Sequence, residues 1–307
     1  MKIVKLLPIV SLCMLLWDCT NDEPIGVADP LYESVPSIAN CTPGSLSEAE
    51  KLKILTYVNS VRRLHNLPDV EYDNLRDRLA QEAAMIGAAS ADISAAIVES
   101  DFCYLENAAL ECGRGNRSLW GSATAKWPAS EIHVNDWMTE LNSSNINDRR
   151  RILDPFLKNI TFGRIIGTPK KGDFKYVSSA MLLTGGNADL GDAEIPYVAY
   201  PQGTYGAKLF DPNSILSFSV LHDKAVKSNN GASSVDFSEA AVEVSVGSQP
   251  MDIVEGSLAC DYSNCGLPNN LQWKVQGLTK NVTYTVRIVG VKVAGETRNF
   301  EYTFSFK

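Results

Sequence analysis

The chain has 307 residues, enough for two ordinary domains, with 45% hydrophobic and 21% charged residues. That balance excludes an intrinsically disordered chain. A net charge of -8 excludes nucleic acid as a partner, because no basic stripe exists to neutralise phosphates. Arg149, Arg150 and Arg151 form the one dense basic run, read either as a solvated face or as a packing element.

The N-terminus predicts a secretory signal over residues 1–19. Lys2 and Lys5 supply positive charge, and Leu6 to Trp17 form an apolar stretch too short to span a bilayer. A polar run from Asp18 ends it. The alternative is a cell-surface lipoprotein anchored through Cys19. No later segment has the length of a transmembrane helix. Residues 20–45 carry Pro, Asp and Ser without periodicity and read as a linker. Beyond the signal the cysteines are Cys41, Cys103, Cys112, Cys260 and Cys265. Export suits disulfides within the two close pairs, Cys103/Cys112 and Cys260/Cys265, which leaves Cys41 over. Neither spacing is that of a zinc site. Sequons at Asn40, Asn116, Asn142, Asn159 and Asn281 permit glycosylation in a eukaryotic secretory path.

A helix is predicted from Ser45 or Ser47, with Ser45 and Glu48 spaced as a capping box, and Ile54, Val58 and Val61 on one face. A second follows Asp73, with Leu75, Leu79, Ala83 and Ile86 in line and small alanines suited to close packing. Residues 90–127 read as irregular with short helical pieces. A third helix follows Pro128 or Ser130, its stripe formed by Val134, Trp137, Met138 and Leu141. After NDRRRILDP (147–155), FLKNITFGRIIG and FKYVSSAMLLTGG read as strands. From about Pro196 the period changes to two. Leu216/Phe218/Val220, Val242/Val244/Val246, Leu271/Trp273/Val275, Tyr284/Val286/Ile288 and Phe300/Tyr302/Phe304/Phe306 each alternate with other residues, the pattern of strands with one buried face.

Four stretches in this order resemble the CAP superfamily of cysteine-rich secretory, antigen-five and pathogenesis-related proteins. They are YVNSVRRLHNLPDVEYDNL, LAQEAAMIGAA, WMTE and NDRRRILDPFLKNITFGRIIG, within about residues 48–183. The variant resembled is bacterial-like, with a C-terminal β-domain opened by a turn similar to VAYPQGTY (198–205). The resemblance implies an α+β chain: a CAP-like α-β-α sandwich over 46–186, then an all-β, immunoglobulin-like sandwich over 196–307.

Many members of that family place two His and two Glu in a cleft that can bind zinc, a donor set with sound metal chemistry. Carried over residue by residue, Glu140 keeps the Glu of Trp-x-x-Glu. Asn116 falls where the other Glu would be, Asp148 replaces one His, and Arg149 matches the family Arg. No His lies between Asn66 and Ile132 to supply the other. Of the three histidines, His65 and His222 read as structural or exposed. His133 is seven residues before Glu140, on one helical face with Asp136, either as a weak metal site or as a polar face toward water. Asp148 either caps the turn before Arg149, which would then pair with Glu140, or joins Glu140 around a hard cation.

No zinc and no organic cofactor are expected, a divalent cation on Glu140 and Asp148 being the exception. The function expected is that of a secreted, non-enzymatic module binding an extracellular lipid, glycan or protein. The alternative is an extracellular peptide or glycan hydrolase with Glu140 as general base.

Overall fold

The computed structural model describes residues 31–93, 97–122, 127–141, 143–168, 174–185, 190–191, 193–206 and 208–307. The signal over 1–19, Cys19 and the sequon at Asn142 lie outside them. Among the described residues no helix is long and apolar enough to cross a membrane.

Part of the stretch read as linker is structured. Strands β1 (Tyr32–Ser34) and β2 (Ser45–Leu46) pair antiparallel. A disulfide from Cys41 to Cys103 ties the loop between them to the body of the protein. This corrects the Cys103/Cys112 pairing. Cys112 ends a short helix with its side chain turned inward, its Sγ 3.7 Å from the Ala83 carbonyl, and burial pushes its thiol up to about 11. Cys260 and Cys265 are thiols in this structure.

Among the described residues five α-helices follow: α1 (Glu48–Leu64), α2 (Asp77–Ser90), α3 (Glu106–Cys112), α4 (Ser130–Thr139) and α5 (Asn147–Ile152). Ser45 belongs to β2, so the cap of α1 is Ser47, whose hydroxyl accepts the Glu50 N–H. Asp73 caps a separate 3-10 turn, Asn74–Arg76, ahead of α2. Leu75 falls in that turn, off the expected stripe, and is 97% exposed.

Between the helices lies a four-stranded sheet of order β3-β5-β6-β4: β3 (Glu71–Tyr72), β4 (Asn116–Ser122), β5 (Asn159–Gly167) and β6 (Lys175–Thr184). β5 and β6 are the two strands expected there. β4 was hidden in a stretch read as irregular, because its pairing with β6 is long-range and its own alternation is weak. On one face Ile160, Phe162 and Met181 pack with Ile54, Val58 and Val61 of α1 and with Val134, Trp137 and Met138 of α4. On the other, Ile165 and Ala180 pack with Ala83, Ala84 and Ala88 of α2. The layers are therefore helix, sheet, helix. Gly163 sets the second spacing: a Cβ there would lie 2.1 Å from the Ala80 carbonyl oxygen.

The remaining chain forms two sheets. One has the path β12-β11-β15-β16-β8, with β10 beside β15; the other is β13-β14-β9-β7. The strands are β7 (Tyr197–Tyr200), β8 (Gly203–Tyr205), β9 (Leu216–Val220), β10 (Val235–Asp236), β11 (Ala241–Val246) and β12 (Gln249–Met251). They continue with β13 (Ala259–Cys260), β14 (Leu271–Trp273), β15 (Tyr284–Val293) and β16 (Glu296–Phe306). The sheets pack face to face: the Phe218 ring of β9 meets Phe300 and Tyr302 of β16 with centroids 5.1 and 6.3 Å apart. β8 joins β16 in parallel, an edge pairing that alternation alone does not reveal.

Candidate functional site

Four of the five cleft residues read from the sequence come together where α4 ends, α5 begins and β4 passes beneath. Glu140 terminates α4 in the left-handed region, with φ 42° and its N–H on the Asp136 carbonyl. That conformation is unusual outside glycine and needs a compensating contact. The contact is with α5. One oxygen of the Glu140 carboxylate accepts the Asp148 N–H at 3.1 Å and the other the Arg149 N–H at 3.2 Å. A helix start leaves such donors without intrahelical partners, and a carboxylate suits its positive end. Glu140, not Asp148, is thus the cap.

The Asp148 carboxylate faces Arg151 at 3.0 Å. The backbone carbonyl of Asp148 accepts the Asn116 side-chain N–H at 2.9 Å. Asn116 is wholly buried, and its Oδ1 has no hydrogen-bond partner. A glycan has no room there, which removes that sequon. Asn40 and Asn281 are exposed and Asn159 is half-buried.

Arg149 is also wholly buried, but its guanidinium does not turn to Glu140. It donates to the Met138 carbonyl at 2.9 Å and the Ile215 carbonyl at 2.7 Å, and lies 3.8 Å from the centre of the Tyr200 ring. Ile215 and Tyr200 belong to the β-rich unit, so this side chain bridges the two units. The expected Arg149–Glu140 ion pair is replaced by a bond from the Arg149 backbone.

His133 stands apart. It is wholly buried, its ring hydrogen-bonds to Ser118 on β4, and Trp120 meets it edge-on at 6.4 Å. The polar helix face toward water and the metal site with Glu140 are both corrected, because this part of α4 packs on the sheet. Burial, with Arg164 nearby, pulls the His133 imidazole down to about 3. His65 is buried too and hydrogen-bonds to Tyr205; burial holds it at about 3. His222 is exposed.

Burial pushes the Glu140 carboxyl up to about 8, Arg149 opposing and Asp148 assisting. Burial raises Asp148 to about 6, opposed by Arg151 and Arg117. A carboxyl that titrates near neutrality suits general-base work. Yet both Glu140 oxygens hold backbone N–H groups, and its neighbours Asn116 and Arg149 are sealed from solvent. Among the described residues no group of three or more His, Cys, Asp or Glu side chains gathers in a way that could hold a metal ion.

The sequence reading missed the extent of the joint between units. Arg150 is 6% exposed and pairs with Asp261, while donating to the Ser263 hydroxyl and to the Ser263 and Leu267 carbonyls. Lys227 reaches Asp154 at 2.6 Å. Arg62, wholly buried in α1, donates to the Pro68, Ile152 and Asp154 carbonyls. The basic run is therefore a packing element. The signal was present in three adjacent arginines in an acidic chain, but the partners that matter for the joint, Ile215 for Arg149 and Asp261 for Arg150, lie 66 and 111 residues away.

No protein-family model matches the chain, and neither does any curated protein. Among solved structures it is similar to MpPR-1i, a pathogenesis-related PR-1 protein of the CAP superfamily. The similarity is 14% in identity with a TM-score of 0.29, over 45% of this chain and 89% of that one. A second structure of MpPR-1i, soaked with selenourea, matches at 14% identity and a TM-score of 0.29, over 45% of this chain and 93% of that one.

Proposed function

We propose that the chain is a secreted binding module, non-enzymatic, in which a CAP-like α-β-α unit and an immunoglobulin-like β unit present one surface to an extracellular lipid, glycan or protein. The supporting observation is the use made of the cleft positions. Glu140 caps α5, Asn116 supports the Asp148 backbone, and Arg149 reaches into the β unit. Groups held in this way stabilise the joint and do not meet a substrate. The Cys41–Cys103 disulfide fits an oxidising compartment.

Native mass spectrometry of the mature protein, secreted and never exposed to chelator, tests the reading together with incubation on peptide and glycan substrates. The expected result is a mass free of stoichiometric metal and no turnover. A zinc or calcium adduct lost in Glu140→Ala, or hydrolysis lost in Glu140→Gln, would replace it with the hydrolase in which Glu140 is the base.

A further inference from the structure

α1 enters the joint between the units through one titratable side chain at its end. His65 is 1% exposed, and its Nε2 hydrogen-bonds with the Tyr205 hydroxyl of β8, the two rings meeting edge-on with centroids 5.8 Å apart. Tyr205 in turn meets the Tyr200 ring of β7 at 5.5 Å, and Arg149 of α5 lies over that ring. β7 and β8 are edge strands of the two sheets of the β unit. One chain of contacts therefore runs from α1 through both of them to α5.

The charges that His65 feels are of one sign. Arg149 and Arg62, the latter one turn earlier on α1, both oppose a proton on the ring. β8 offers only a phenol, and β7 offers the Ala199 carbonyl, which favours the charged form. The negative end of α1 already carries Arg62 and Arg63 in its last turn. Among the described residues no carboxylate stands close enough to help the charged ring. Those of the joint are taken, Asp261 by Arg150 and Asp154 by Lys227. An imidazolium there is one more buried cation without an anion to pair with, and a buried charge in that position is costly.

We propose that this contact is a proton-operated clasp. With His65 neutral, α1 is closed on β8; a proton on His65 releases that contact while the sheets of both units stay folded. The release is a local opening and leaves the apolar core in place. Burial, with Arg149 and Arg62, holds the closed ring at about 3, against an ordinary 6.5 once it meets water. Protonation therefore favours the released form. The ratio of released to closed molecules should rise by about 25-fold from pH 7 to pH 5.

Hydrogen exchange of the full mature protein at pH 7 and pH 5, corrected for the intrinsic pH dependence of exchange, tests the clasp. Peptides spanning 62–68 and 200–206 should lose protection at pH 5, by up to about 25-fold, ahead of β5, β6, β15 and β16. Protection that does not fall, or that falls equally in every strand, overturns the proposal. Glu140 and Asp148 also titrate near this range, so the variants assign the effect. His65→Gln keeps a side chain that hydrogen-bonds and stays neutral at either pH, and it should abolish the difference. His133→Gln, inside the α-β-α unit, should leave it unchanged. The opposite result with either variant overturns the clasp. Should His65→Gln fail to fold, Tyr205→Phe decides: it should lower the protection of the same two peptides already at pH 7, and unchanged protection overturns the contact as a clasp.

Discussion

Replacing Arg149 by Met is the sharpest perturbation of the joint. The side chain keeps an unbranched apolar stem and loses its charged head. Two bonds vanish, to the Met138 and Ile215 carbonyls, together with the contact over Tyr200. A bond from a charged donor contributes about 1.5–3 kcal/mol, and a desolvated cation over an aromatic ring about 2. Against this, the variant no longer buries a guanidinium. What the variant leaves behind is two carbonyls, of Met138 and Ile215, without that donor, at about 1–3 kcal/mol each, and a loss of that order is expected here. Because one carbonyl and the ring belong to the β unit, the two units should also unfold less cooperatively. Urea unfolding followed by both circular dichroism and tryptophan fluorescence measures each effect. Arg149→Lys should lie between, since an ammonium cannot reproduce the planar fork that reaches two carbonyls. A loss below about 1 kcal/mol in Arg149→Met, with the two probes still coincident, would refute the bridging role.

Glu140 gives a pH dependence of opposite sign to the usual carboxylate. Its folded value, about 8, lies above the ordinary 4.5, so its stabilisation is complete below 4.5 and is lost as pH rises through 8. Between pH 6.5 and 8 stability should fall by at most about 1.4 kcal/mol per pH unit, and Glu140→Gln should flatten that slope in pH-dependent melting. His65 and His133 act at the acid side: held at about 3, both favour the fold above 6.5 and lose that contribution as pH falls toward 3. His133→Gln should make acid unfolding less steep. Gly163→Ala should cost about 1–3 kcal/mol, because the new methyl meets the Ala80 backbone; an unchanged melting temperature would contradict that packing. Non-reducing peptide mapping should recover a Cys41–Cys103 peptide, and a double Ser variant should lose about 2–4 kcal/mol; a Cys103–Cys112 peptide would overturn the pairing.

Local physics was legible in the sequence. Period 3.6 placed Ile54, Val58 and Val61 on the buried face of α1, and Val134, Trp137 and Met138 on that of α4. Period 2 located β9, β11, β15 and β16. Both follow from covalent geometry, which repeats every few residues whatever the rest of the chain does. What the sequence could not settle depended on partners distant along the chain. β4 needs β6 about 60 residues on, and Cys41 needs Cys103. His133 had the polar identity of a surface residue and is buried because α4 packs on the sheet, where Ser118 of β4 meets its ring. The cleft positions Asn116, Glu140, Asp148 and Arg149 could be singled out by type and order, but their roles could not. A carboxylate serves as base, ligand or cap according to which donors reach it. Here the backbone of α5 and the carbonyl of Ile215 decided the matter, and tertiary structure alone brings those to the site.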